Sequence, residues 1–328
     1  MMEWIFIMLK TVFRQIISGG NGDYLIVVPI IDYLLSSTLV SVEFITDQKQ
    51  IAYLSSQFNQ NIVYKSKKDI YIESCKDFSL INRMLELFAF SESKNENFFD
   101  EIRYSQNQTD YFESVTNRIF HLFGIPKVSP SLIFDTYTSK KNFYSTNVLP
   151  NWLYEKYRYL ICFQRISSVG KLPDGTYTKE WPYYLSIEFI QLCHDFNIGV
   201  INVEPEDKNQ LPYDYDISHL NIKDVTCVIN SINAFVGIDS CFGHACALTK
   251  IPSITLYTYN GIKKDRIFEY LPISMNYSII PTYLNSRIIS AYKVFEILQK
   301  ILTGDRILED RYITLDQKKE GVHYEFII

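Results

Sequence analysis

Three short stretches of this chain bring together residue types that can do chemistry. The first, Ser18-Gly19-Gly20-Asn21-Gly22-Asp23, is a glycine-rich turn ending in a carboxylate. A turn of such small residues lets a ligand approach the backbone beyond the carboxyl end of a strand. Asp23 falls at a helix N-terminus, where the positive end of the peptide dipoles keeps a carboxylate ionised. The turn is not a dinucleotide fingerprint, because the third glycine of G-x-G-x-x-G would fall at Leu25. An aspartate cap on an ordinary tight turn accounts for the same residues equally well.

The second stretch is Lys179-Glu180-Trp181-Pro182, after a polar loop and before a helix. Pro182 suits the first turn of that helix, and the loop ahead of it can carry Lys179 to a phosphate as a point charge. A lysine beside Trp-Pro is more often a solvated loop residue, so this motif needs support from elsewhere in the chain. The third stretch runs Val236-Gly237-Ile238-Asp239-Ser240-Cys241-Phe242-Gly243-His244-Ala245-Cys246-Ala247, a buried strand passing directly into a helix of small residues. Asp239 and Ser240 lie at the strand's end, and the free amides of the next turn form an anion site suited to a diphosphate. His244, one turn into the helix, could add a donor to the same anion; the plainer account is a capped helix with a core histidine.

These residues require strands and helices that alternate. After residue 15 short β-branched or aromatic runs do alternate with longer periodic segments, the pattern of βαβ units on a parallel sheet. Residues 15–18, 38–45 and 69–73 read as strands, and 24–35, 78–90 and 109–122 as helices. Residues 124–150, with three prolines, read as a bridge. A second series follows, with strands at 157–163, 199–203, 234–238 and 253–257 and helices at 183–196, 222–229, 241–248 and 287–302. The reading is therefore α/β, with two Rossmann-like doubly wound domains. Residues 1–150 form the first with its bridge, 151–304 the second, and 305–328 a tail that could be a hairpin.

Bulk properties agree and exclude several classes. The 328 residues are too many for one typical core and suit two domains. Acidic residues number 37 against 32 basic, for a net charge of −5, and no Lys/Arg block is dense enough to follow a phosphate backbone, so nucleic acid is not an expected partner. The 15% aromatic content, lacking a basic stripe beside it, reads as core and pocket lining. Six scattered cysteines with no C-x-x-C pair fit a reduced, cytoplasmic setting without a structural metal. The apolar start, residues 1–9, has an acidic Glu3 and is interrupted by Lys10 and Arg14. It reads as neither a signal peptide nor a membrane span, and residues 1–14 are a candidate for peripheral membrane contact.

In order and spacing, the three stretches resemble the heptosyltransferase-like family of GT-B glycosyltransferases, whose best-known members use ADP-heptose in lipopolysaccharide core assembly. The family's G-D-x-x-x-x-x-P turn is matched by Gly22, Asp23 and Pro29, and its K-x-W-P by Lys179, Trp181 and Pro182. Its D-[ST]-G-x-x-H-x-A-x-A segment followed by Pro is matched by Asp239, Ser240, His244, Ala245 and Ala247 with Pro252, except that Cys241 stands where that family has glycine and Cys246 and Ala247 offset the last small residues slightly. The resemblance implies two Rossmann-like domains facing across a cleft. It also implies inverting transfer of a sugar from a nucleotide diphosphate sugar to a hydroxyl of a glycan, glycolipid or protein, with no metal or other cofactor.

Under that resemblance Asp23 is the general base, on an acceptor-side turn made by Gly20, Asn21 and Gly22. Lys179, His244 and the amides around Ser240 and Cys241 receive the diphosphate, and Asp239 holds sugar hydroxyls. Glu204 and Leu220 stand where a nucleoside would lodge. Cys241 in place of glycine bears on donor choice, since glycine lets backbone approach a phosphate closely. Asp214-Tyr215-Asp216 is a literal D-x-D of the kind that holds a metal ion on a diphosphate, but its polar surroundings favour a solvated turn. Two alternatives stay open: a nucleotide-sugar epimerase of the same fold and a non-catalytic nucleotide-sugar-binding subunit.

Overall fold

A computed structural model describes residues 12–17, 25, 29, 41–46, 62–64, 132, 149–167, 179–204, 211–257, 276–281, 289–304 and 312–315. The chain divides into two compact units, Met1–Asn107 with Thr116–Lys141, and Gln108–Val115 with Asn142–Ile328.

In the first unit, β1 (Val12–Ile17), β2 (Ser41–Thr46) and β3 (Ile62–Tyr64) form a parallel sheet in that order. Val12 pairs with Ser41 and Phe44 with Ile62. Parallel neighbours require a crossover between them. Leu25 and Pro29, helical and buried, lie within the crossover from β1 to β2. β1 begins three residues before the expected start, because Arg14 and Gln15 break the apolar run by which a strand is recognised. β3 is too short to give a periodic signal. Leu132 is helical and exposed within the stretch read as a bridge. The expected strand at 69–73, the helices at 78–90 and 109–122, and most of 124–150 lie outside the described residues.

The second unit opens with α1 (Asn151–Lys156) behind Pro150, a helix absent from the sequence reading because its six residues complete fewer than two turns. Its described strands are β4 (Tyr159–Gln164), β5 (Ile198–Asn202), β6 (Tyr215–Asp216), β7 (Ala234–Ile238), β8 (Ser253–Leu256), β9 (Asn276–Pro281) and β10 (Tyr312–Leu315). They form one sheet in the order β10-β9-β8-β7-β4-β5-β6, every pairing parallel. The order reverses at β4, which has β5 on one side and β7 on the other. That is the topological switch point of a doubly wound sheet, where ligands of such folds bind beyond the strand ends.

β5, β7 and β8 are buried along their whole length, as expected when helices cover both faces of a parallel sheet. The described helices after α1 are α2 (Tyr183–Asp195), α3 (Ile222–Ile229), α4 (Cys241–Thr249) and α5 (Ala291–Thr303). Leu185, Phe189 and Ile190 of α2 and Val294, Ile297 and Leu298 of α5 pack in one core with Ile161, Phe163, Val236 and Ile254 of the strands. Three helices start on side-chain caps: Asn221 on the Asp224 amide, Ser240 on that of Phe242, and Ser290 on that of Lys293. These caps satisfy amides that the helix itself leaves open. Lys250 and Gly304 end α4 and α5 in the left-handed conformation.

In the tail, residues 312–315 form β10, an edge strand parallel to β9, with Tyr312 opposite Ser278 and Leu315 opposite Pro281. The rest of the tail, including residues 322–328 that would make the second arm of a hairpin, lies outside the described residues.

Candidate donor-site geometry at the switch point

β4 is apolar from Leu160 to Phe163, ends in Gln164 and is followed by Arg165, and β7 is apolar to its end at Ile238 and is followed by Asp239 and Ser240. Because the two strands are neighbours, their polar ends meet. The Ser240 hydroxyl donates to Gln164 Oε1 at 2.5 Å, and Gln164 Nε2 donates to the Ile166 carbonyl at 2.8 Å. Ser240 Oγ also accepts from the Phe242 amide at 3.4 Å, so one hydroxyl joins the switch point to the start of α4.

Lys179 reaches the same place from the other side of the loop after β4. Residues 165–167 and 179–181 form a short antiparallel ribbon in which the Trp181 amide donates to the Arg165 carbonyl at 3.0 Å and the Ser167 amide to the Lys179 carbonyl at 3.3 Å. Trp181 anchors it: the ring is fully buried against Phe163 and Phe189, and Nε1 donates to the Ile289 carbonyl at 2.9 Å. Two residues ahead of that anchor, Lys179 Nζ lies 3.0 Å from Asp239 Oδ2 and 3.4 Å from the Asp239 carbonyl oxygen.

The structure thus brings together Lys179, Asp239, Ser240 and Cys241. His244 is buried one turn into α4. Cys241 opens the helix with its thiol pushed up to about 12, chiefly by burial; the Asp239 charge adds to the rise and the Lys179 charge opposes it. Asp23, Gly20, Asn21 and Gly22 lie outside the described residues. Leu220 is half-buried in the turn before α3, its amide bonded to the Ile217 carbonyl.

Glu204 lies just past β5 and turns inward. It is 1% exposed, and its carboxylate accepts from the amides of Arg165 (2.7 Å) and Ile166 (3.1 Å) and from the Tyr213 hydroxyl (2.8 Å). Burial raises its pKa, against the lowering effects of the Arg165 charge and these hydrogen bonds. The D-x-D carboxylates are likewise engaged by the chain. Asp214 accepts from the Tyr157 hydroxyl and the Val200 amide and meets His194 Nε2 at 2.9 Å, while Asp216 accepts from Asn202 and the Ser218 amide. Among the described residues no group of three or more His, Cys, Asp or Glu side chains is placed to hold a metal ion, and no helix is long and apolar enough to cross a membrane.

Sequence reasoning missed Gln164, Arg165 and Tyr213. The first two carried a usable signal, being polar residues at the carboxyl end of an apolar strand. Tyr213 carried none, because a tyrosine in a polar loop does not name its partner.

Strand order, switch point and polar strand ends define the second unit as a Rossmann-like α/β domain. Across the chain the fold is that of the GT-B glycosyltransferases, and particular solved structures share it. The E. coli heptosyltransferase WaaC with ADP superposes with a TM-score of 0.57 at 13% identity, over 89% of this chain and 99% of that one. E. coli ADP-heptose lps heptosyltransferase II gives 0.55 at 14%, over 90% and 99%. The glycosyl transferase family 9 structure from Veillonella parvula gives 0.56 at 12%, over 90% and 97%. No protein-family model and no curated protein matches the sequence. The likeness drawn from the three motifs is therefore borne out at the level of the fold.

Proposed function

We propose that this chain is an inverting, metal-independent glycosyltransferase that moves a sugar from a nucleotide diphosphate sugar to a hydroxyl of a glycan, glycolipid or protein. The observation that carries the reading is the meeting of Lys179 with Asp239 at the switch point, beside the Ser240-capped start of α4. An ammonium and open helix amides together suit a diphosphate. The solved neighbours of the same fold are named for ADP and ADP-heptose, which favours an ADP-linked donor of the heptose kind.

In this reading the acceptor oxygen attacks the anomeric carbon as the bond to the diphosphate breaks, and Asp23 takes the acceptor's proton. Negative charge grows on the leaving diphosphate, so Lys179 and the α4 amides act most strongly in the transition state. Asp239, one residue before the cap, holds donor sugar hydroxyls, and His244 adds a donor from within α4. Residues 1–14, with their apolar start, would suit an acceptor at a membrane surface.

Thermal shift with ADP, GDP, UDP and CDP and their sugars tests the donor site, since a ligand of the native state raises its stability by mass action. One nucleotide should stabilise the protein, EDTA should leave that shift intact, and Lys179→Ala should lose it. A folded sample that answers to none of them sinks the reading. With the right donor, nucleoside diphosphate should appear only when acceptor is present; conversion of the sugar without acceptor would identify an epimerase instead.

A further inference from the structure

A buried carboxylate is costly unless its hydrogen bonds make up for lost water, so the partners of Glu204 show what it holds. The ladder between β4 and β5 runs to the pair Phe163 and Asn202, and the Val203 amide adds a last bond to the Phe163 carbonyl at 3.3 Å. Beyond it no described strand residue pairs with the amides of Arg165 and Ile166 on that side. Glu204 Oε2 accepts from both, extending the ladder by a side chain. Its other oxygen accepts from Tyr213 and lies 3.9 Å from Arg165 Nε. Arg165 in turn places a guanidinium nitrogen 2.5 Å from Glu180 Oε1, next in sequence to Lys179.

The two backbone groups gripped by Oε2 belong to the strand of the ribbon that registers Lys179. Ile166 is bridged to Glu180, and the Arg165 carbonyl and Ser167 amide bond to Trp181 and Lys179. We propose that Glu204 is a positioning residue for the donor site: its carboxylate fixes the 165–167 strand, and through the ribbon sets where the Lys179 ammonium stands for a diphosphate. Chain donors occupy both carboxylate oxygens and the side chain is buried, so it acts through Lys179 and does not touch ligand. The inference rests on Lys179 being the diphosphate ligand of the function proposed above.

The test uses the full chain and two readouts. The first needs no nucleotide: the acetylation rate of Lys179 by a lysine-selective reagent, read by mass spectrometry, with Lys250 at the far end of α4 as internal control. The second is the affinity for pyrophosphate by calorimetry. In Glu204→Ala the Lys179 rate should change severalfold while Lys250 stays constant, and pyrophosphate should bind about tenfold more weakly, the size of one misplaced charge-assisted bond. In Glu204→Gln an amide oxygen can still accept from the two backbone groups, which should restore most of both readouts. Tyr213→Phe, which removes a bond from the other oxygen only, should leave Lys179 unchanged.

A double variant completes the cycle, because Glu204→Ala should weaken pyrophosphate binding no further once Lys179 is alanine. Additive losses would mean that Glu204 meets the ligand itself, and they overturn the proposal. So does an unchanged Lys179 in a folded Glu204→Ala. If that variant does not fold, Glu204→Asp, whose oxygens fall one methylene short of the amides, takes its place, and collapse of both makes Glu204 a residue of the fold alone and likewise overturns it. A wild type that ignores pyrophosphate and every nucleotide, but whose Lys179 still responds to Glu204, would sink the donor-site reading and leave the positioning role standing.

Discussion

The Lys179 ammonium and the Asp239 carboxylate, sixty residues apart in sequence, meet at 3.0 Å where the loop after β4 passes the end of β7. The pair is partly open to solvent, with the two side chains 28% and 13% exposed. Solvent screening limits its worth to the fold to about 1 kcal/mol or less. Lys179→Ala should therefore leave the thermal midpoint nearly unchanged while weakening nucleoside diphosphate binding about 10- to 100-fold, from about 1.5–3 kcal/mol for a bond to a charged group. Asp239→Asn should weaken the nucleotide sugar more than the bare nucleotide. Calorimetry on both ligands checks the pair of expectations.

Trp181 holds the ribbon that carries Lys179. Its ring is fully buried and its indole nitrogen bonds the Ile289 carbonyl. Trp181→Ala should cost about 3–5 kcal/mol in urea unfolding of the second unit. Trp181→Phe fills part of the space but leaves the Ile289 carbonyl without this donor, so it should fall between wild type and alanine.

Gly237 lies on β7 directly against β4. A Cβ there would sit 2.6 Å from the Phe235 ring, closer than packing permits, and 3.0 Å from the Gln164 carbonyl oxygen, a tight contact that has to ease. Gly237→Ala should destabilise by about 1–3 kcal/mol through overpacking. Since the backbone of Gln164 is among the groups crowded, nucleotide affinity should fall along with the midpoint, whereas Ile254→Val on the neighbouring strand should move the midpoint alone.

Asp23 is the proposed base, and a base acts on the chemical step. Asp23→Asn should lower kcat by about 10²- to 10⁴-fold and leave the donor's dissociation constant within error of wild type. Single-turnover rates and calorimetry on the same preparation separate the two. A variant with wild-type turnover removes Asp23 from the mechanism.

Glu204 ties stability to pH. Burial raises its pKa above the ordinary glutamate value, so the folded state holds its proton more tightly than the unfolded chain does. Its contribution is fully present below the unfolded pKa and is lost as pH rises through the folded one. Across that window the difference in midpoint between wild type and Glu204→Gln should shift against the wild type as pH increases. A difference that is flat with pH would contradict the raised value.

Much of the second unit was legible in the sequence. Strands 234–238 and 253–257 and helices 183–196, 222–229 and 241–248 fall within a residue or so of the observed elements, because buried parallel strands are continuous apolar runs and covering helices are amphipathic. The motif residues Lys179, Asp239 and Ser240 could be named because each stands at the end of such a run. Short α1 and short β3 were missed, since few residues carry little periodicity, and the pairing of edge strand β10 with β9 was not legible, since a strand does not state its partner.

What the sequence determined by itself was the alternation of elements, the polar punctuation at their ends and the order of three motifs, all local properties of neighbouring residues. What only the tertiary structure decided was who meets whom. It placed β4 beside β7, so that Gln164 finds Ser240 and Lys179 finds Asp239, and it turned Glu204 inward onto two backbone amides at the end of β4. Those contacts depend on sheet order, and sheet order follows from how the whole core packs, which no single stretch of the chain contains.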